Sequence, residues 1–150
     1  PCPQPQAPRC VHGWRGRDRN AIASQSTLIE GIGRPRVEPG FLFEVVDDVI
    51  EVDDAASIAA ALLLEEQLGT RYGGSSGTNF VACLQLATAM RMRGERGSIV
   101  TLLCDRGKRY QQTLFDADWR ARNQLDIAPW QAALQTALAS GTLTPPDHPA

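Results

Sequence analysis

Lysine is nearly missing from this 150-residue chain: Lys108 is the only one. Chemistry that needs an amine nucleophile therefore has one side chain to use, or none. Histidine is almost as scarce. His12 and His148 lie in terminal stretches with little apolar sequence around them, so neither is well held for catalysis by a Ser-His-Asp type of triad. The four cysteines, Cys2, Cys10, Cys83 and Cys104, form no C-x-x-C pair. Cys2, Cys10 and His12 lack a fourth ligand at a suitable spacing, which argues against a structural metal. No apolar run is long enough to span a bilayer, and no signal-peptide core stands near the start. A net charge of −2 removes any global case for nucleic acid or an anionic membrane as partner. The expectation is a soluble, cytoplasmic protein in which Cys83 and Cys104, inside apolar runs, are buried reduced thiols. Methionine occurs only as Met90 and Met92, and the first residue is Pro1, so a processed start or a piece of something longer is expected.

What is present divides into three zones. Residues 1–26 are rich in Pro, Gln and Arg and have few apolar groups to bury, which reads as a loose leader rather than a nucleic-acid arm. Residues 27–125 carry the fold. Val45 to Val52 reads as a strand, and Asp53 or Asp54 as the cap of a helix over "AASIAAALLLEEQL" that stops at Gly69. "GGSSGTN" reads as a turn and "FVACLQLATAM" as a second helix ending near Gly94. "SIVTLLC" is a continuous apolar strand, the kind covered on both faces in a parallel sheet. Residues 126–150 read as a peripheral helix, with Pro129 near its start and Gly141 near its end, and a loose tail. Strands alternating with helices predict an α/β fold with a mostly parallel sheet and helices on both faces.

Both central helices are apolar nearly all round: neither Ile58 to Leu64 nor Phe80 to Ala87 holds a charge. Such helices are expected to be buried. Covering two of them takes more layers than one chain of this length with a loose leader supplies, so the full core is expected to include further material or a partner surface. Ligands in open α/β sheets bind beyond the carboxyl ends of strands, which points to the charged turn at residues 105–110. The backbone of "GGSSGTN" could cradle an anion, although turn and cap chemistry explains it as well. Gly31 and Gly33 in "IEGIGRPR" allow close backbone approach to a ligand, or form a plain turn. Asp47, Asp48, Asp53 and Asp54 are read as helix-capping acids rather than metal ligands.

"IEGIGRPRVEPGF", "VDDVIEVDDAASIAA", "GGSSGTN" and "SIVTLLCDRGKRY" occur in that order. Together they resemble the carboxy-terminal part of the cysteine synthase and cystathionine β-synthase family, the fold-type-II enzymes that use pyridoxal phosphate. "GRPRVEP" and "LLCDRGKRY" are most similar to its bacterial cysteine desulfhydrase branch. The resemblance covers about residues 27–125 and implies a three-layer fold, a cytosolic and usually dimeric enzyme, and a small amino-acid substrate such as cysteine or O-acetylserine. The reaction it implies is β-elimination or β-replacement, with the cofactor ring as electron sink.

The family's Schiff-base lysine and glycine-rich phosphate cup lie upstream of these motifs, in an amino-terminal part that this chain does not contain. Lys108 is then a solvated turn cation and not the reactive lysine. In cysteine synthases of the family, the residue before the turn glycine is a serine that hydrogen-bonds the pyridine nitrogen. Here it is Arg106, followed by Gly107. A guanidinium donates and cannot accept, so at that place it would favour an unprotonated ring, unless it points to solvent. By the same resemblance, Gly31 and Gly33 match the loop beside substrate and cofactor, and "GGSSGTN" a glycine-rich turn below the site. An alternative from another class is a non-catalytic α/β module that keeps the scaffold and buries its apolar helices against a partner.

Overall fold

Asp53 ends an extended stretch at ψ 151°, and its carbonyl accepts from Ser57 N at 2.9 Å, which opens helix α1 (Asp54–Leu68). The helix closes at Gly69, whose φ of 64° is the left-handed conformation that glycine adopts without a Cβ penalty. Both ends fall where Asp53 and Gly69 predict them. Ala56 to Ala61, Leu63 and Leu64 are buried, so a helix that is apolar all round is also covered over most of its circumference. In this computed structural model the described residues are 16–18, 20, 27–32 and 37–147.

Helix α2 (Gly74–Met92) begins earlier than expected, and "GGSSGTN" is its first turns rather than a separate turn. The cause is tertiary. A Cβ on Gly77 would overlap the Ser57 carbonyl oxygen and lie 2.9 Å from Ala61 N, both on α1. Ser57 Oγ and Thr78 Oγ1 share a hydrogen bond of 2.8 Å at the same crossing. The small residues that suggest loop chemistry are thus the surface through which two helices touch backbone to backbone. Burial of α2 is less than its composition predicts: Val81 is fully buried, whereas Leu86 is 40% and Met92 81% exposed.

Helix α3 (Ala117–Arg122) is short and starts on Asp116, whose Oδ1 accepts from Trp119 N at 2.6 Å. Helix α4 (Ala128–Ser140) has its proline at the first turn and a left-handed glycine, Gly141, just past its end, as the sequence predicts. It packs on α1 and buries Trp130, Leu134 and Ala137. Its end and the chain after it are tied to α2, with Arg91 donating to the Ser140 carbonyl at 3.0 Å and Leu143 N donating to Thr88 Oγ1 at 2.8 Å.

These helices belong to one of two compact units, Val52–Pro149; the other is Pro1–Glu51. Within that other unit Ile29 and Val37 are buried, Phe41 and Phe43 meet edge to face at 5.4 Å, and Phe43–Val45 forms a single 3-10 turn. The strand expected from Val45 to Val52 thus begins in a 3-10 turn, and the rest of it carries no ladder. Residues 98–104 carry no ladder either, and Val100 is 91% exposed where a covered strand was expected. A ladder needs a neighbouring strand, and none of the described residues supplies one to either segment. Cys104 is correspondingly exposed and Cys83 half-buried, so neither is the core thiol that its apolar surroundings suggest. Among the described residues no helix is long and apolar enough to cross a membrane, and no cluster of His, Cys, Asp or Glu could hold a metal.

Candidate functional site

The charged turn that follows residues 98–104 is held by a short antiparallel pairing with residues just before α2. Gly73 N donates to Asp105 O at 2.9 Å, and Gly107 N donates to Arg71 O at 2.8 Å. These two bonds flank an isolated bridge between Tyr72 and Arg106. A pair flanked in this way is the close, non-hydrogen-bonded kind, which brings its two side chains together on one face. The Arg106 guanidinium accordingly lies over the Tyr72 ring, 5.4 Å from its centroid. Arg106 is exposed, so this cation is presented to solvent while its direction is set by the ring beneath it.

Glycine is required at both neighbouring positions, and the reason is sterics rather than φ. Asp105 stands opposite Gly73, and a Cβ there would overlap Asp105 Oδ1 and come within 2.8 Å of the Tyr110 ring. Arg71 stands opposite Gly107, where a Cβ would lie 2.6 Å from Arg71 Cβ and 2.9 Å from the Phe115 ring. Arg71 is itself held by Glu65 at 2.6 Å and stacks on Phe115 at 4.9 Å. On the Asp105 face, the Tyr110 hydroxyl donates to Asp105 Oδ2 at 2.7 Å. Asp105 Oδ1 is buried and makes no hydrogen bond among the described residues. Tyr110 reaches Asp105 because Gly107–Tyr110 is a 3-10 turn that folds the chain back on itself.

Helix α2 supports the segment leading into this turn. Cys104 N donates to the buried Ser76 Oγ at 2.9 Å. Asn79 Nδ2 donates to Leu102 O at 3.0 Å and to Cys104 Sγ at 3.5 Å. At the start of α2, the N–H of Gly73 and the Ser76 hydroxyl thus hold Asp105 and Cys104 in place.

Of the candidate residues, Arg106 and Gly107 come together in this clamp, and Gly107 is buried. Lys108 lies in the same turn and is exposed, as a solvated cation should be. Gly31, in the other unit, has φ 85°, a left-handed value that favours glycine. Gly33 lies outside the described residues, as do His12, His148, Cys2 and Cys10. Asp53 is the N-cap residue of α1 and Asp54 its first acidic residue, and in the other unit Asp48 Oδ1 accepts from Val49 N at 2.8 Å. Sequence reasoning placed Asp105 and Tyr110 in the candidate turn at residues 105–110 without giving either a role, and it missed Tyr72. No local pattern connects residue 72 with residue 106; only the pairing of the two backbones does.

Residues 2–105 match the family described as pyridoxal-phosphate dependent enzyme. The chain is 51% identical over 113 residues to L-cysteine desulfhydrase of Mycobacterium tuberculosis, a stretch that is 75% of this chain and 31% of that protein. It is 40% identical over 118 residues to N-(2-amino-2-carboxyethyl)-L-glutamate synthase of Ralstonia nicotianae, 79% of this chain and 33% of the relative. It is 41% identical over 86 residues to cysteine synthase 2 of Emericella nidulans, 56% of this chain and 19% of the relative. The chain thus spans about a third or less of the length of these relatives. The chain belongs to the cysteine synthase and cystathionine β-synthase family of fold-type-II, pyridoxal-phosphate-dependent enzymes, on the side of its cysteine desulfhydrase members.

Proposed function

We propose that this chain is the carboxy-terminal part of a pyridoxal-phosphate-dependent cysteine desulfhydrase or cysteine synthase, carrying out β-elimination or β-replacement on cysteine or O-acetylserine. The observation that carries this reading is the 51% identity over 113 residues to a desulfhydrase of which they make up only 31%. An amino-terminal part would then supply the lysine that holds the cofactor and the loop that holds its phosphate. It would also supply neighbouring strands to residues 98–104, which carry no ladder and whose exposed Val100 and Leu102 suit a strand awaiting its sheet. The complete enzyme is read as a homodimer.

The residues present fit one edge of the cofactor and not the rest. Arg106 offers a cluster of N–H donors on an aromatic base, which suits a ring nitrogen that accepts. Gly107 lets residues 105–107 lie close against residues 71–73, because a side chain there would meet Arg71 and Phe115. Gly31 and Gly33 are read as the loop on the substrate side. Lys108, exposed on a 3-10 turn, has no packing to fix its amine against a cofactor. When bound, pyridoxal phosphate supplies the electron sink for cleavage at the β-carbon. The part of Arg106 is to hold a proton donor at the ring edge, and so to set how strongly the ring withdraws.

The test is titration of the chain with stoichiometric pyridoxal phosphate, followed by borohydride reduction and peptide mapping. The expected result is no tight adduct on this chain alone. With the upstream residues restored, a visible band should appear on a lysine outside this chain and survive Lys108→Ala. A tight reducible adduct at Lys108 that releases sulfide from cysteine would overturn the reading.

A further inference from the structure

Gly31 has a left-handed φ of 85°, so its backbone favours glycine, yet a Cβ built there would meet nothing within 4 Å. Its backbone is exposed and borders open space. Packing around it does not fix where it points; the residues before it do. Ile29 is only 3% exposed and anchors the segment, while Leu28 on one side is 40% exposed and Glu30 on the other is exposed as well. The bend that sets one buried side chain between two exposed ones starts at Thr27, whose Oγ1 accepts from Ile29 N at 3.0 Å. A hydroxyl that takes the N–H two residues on mimics a backbone turn and fixes its angle. The hydrogen bond is partly buried. Without the hydroxyl, the Ile29 N–H either goes unpaired or reaches water by opening the bend. With the Ile29 side chain anchored, opening the bend swings Glu30 and Gly31.

We propose that Thr27 is a positioning residue for the amino-acid substrate: its hydroxyl sets the bend at Ile29, and the bend holds the left-handed Gly31 where its bare backbone borders the bound substrate. This rests on the reading of Gly31 as part of the substrate-side loop. Thr27 acts only through the bend.

Two measurements test it. In this chain, Thr27→Val keeps the size and removes the hydroxyl, and it should speed amide hydrogen exchange at Ile29 roughly tenfold while the amides of α1 keep their protection. Thr27→Ser should restore the slow rate. In the full-length enzyme, Thr27→Val should raise KM for cysteine roughly tenfold, with kcat and the visible cofactor band little changed, the pattern of lost substrate binding. Thr27→Ser should return KM to its starting value. Gly31→Ala should raise KM in the same way, and adding Thr27→Val to it should raise KM by less than Thr27→Val does alone. If Gly31→Ala raises KM and Thr27→Val does not, the substrate-side reading of Gly31 stands and the role of Thr27 is overturned. If Gly31→Ala leaves KM and kcat unchanged while exchange at Ile29 still rises in Thr27→Val, the reading of Gly31 itself fails and Thr27 is a structural residue only. If Thr27→Val loses kcat and the cofactor band together and Thr27→Ser does not rescue them, the loss is one of fold and the proposal is likewise overturned.

Discussion

Gly77 is the residue on which the crossing of α1 and α2 depends. Its missing Cβ is replaced by the Ser57 carbonyl of the facing helix, so an added methyl meets backbone and not a side chain that can turn aside. Gly77→Ala gains helix propensity of about 1 kcal/mol, but overpacking against backbone costs about 3 kcal/mol. A net loss of about 2 kcal/mol is expected in a urea or thermal melt, and an unchanged midpoint would show that the helices can move apart freely. At the other extreme lies Glu95, on a fully exposed loop. Hydrogen bonds from Arg93 at 2.7 and 2.9 Å, aided by its charge, hold the Glu95 carboxyl below its ordinary value. A carboxyl lowered by folding stabilises the fold above its unfolded pKa, and that contribution fades as pH falls through the folded value. An NMR titration should therefore show the Glu95 midpoint rising in Arg93→Ala, with little change in thermal stability at neutral pH because the pair is fully solvated.

At the scale of elements, α4 behaves as part of the core. Its Leu134 is fully buried, while Leu138, one turn later, is 46% exposed. Leu134→Ala should cost about 3 kcal/mol. Leu138→Ala should stay within about 0.5 kcal/mol. Equal effects in a denaturant series would mean that α4 does not dock on α1 through this face. The clamp between residues 71–73 and 105–107 is an element of a different sort. It has too few residues to be a sheet and is made specific by two glycines that each face a bulky neighbour.

At the scale of the molecule, apolar surface is left uncovered. Val100 is 91%, Met92 81% and Leu102 72% exposed. An extended, uncharged run without a ladder partner is a template for pairing with other chains. The isolated chain is expected to self-associate and to bind an apolar dye, and Val100→Lys combined with Leu102→Lys should reduce both. A monodisperse monomer with a cooperative thermal transition and no dye binding would contradict this.

Local chemistry was enough to place the ends of α1 and α4, because Gly69, Pro129 and Gly141 act on the chain within a turn of themselves, while Asp53 stands at the start of α1 without a side-chain capping bond. It was also enough to place Arg106 and Gly107 together in a turn and Lys108 in solvent, and the four ordered motifs pointed to the family. What only the tertiary structure decided are the features in which one backbone meets another. "GGSSGTN" has the composition of a turn, yet it is helix, because Gly77 is where a second helix presses against it. "SIVTLLC" has the composition of a covered strand, yet its exposure depends on neighbours that are not among the described residues. Tyr72 entered the site only with the fold, because a pairing between backbones far apart in sequence leaves no period or spacing to read.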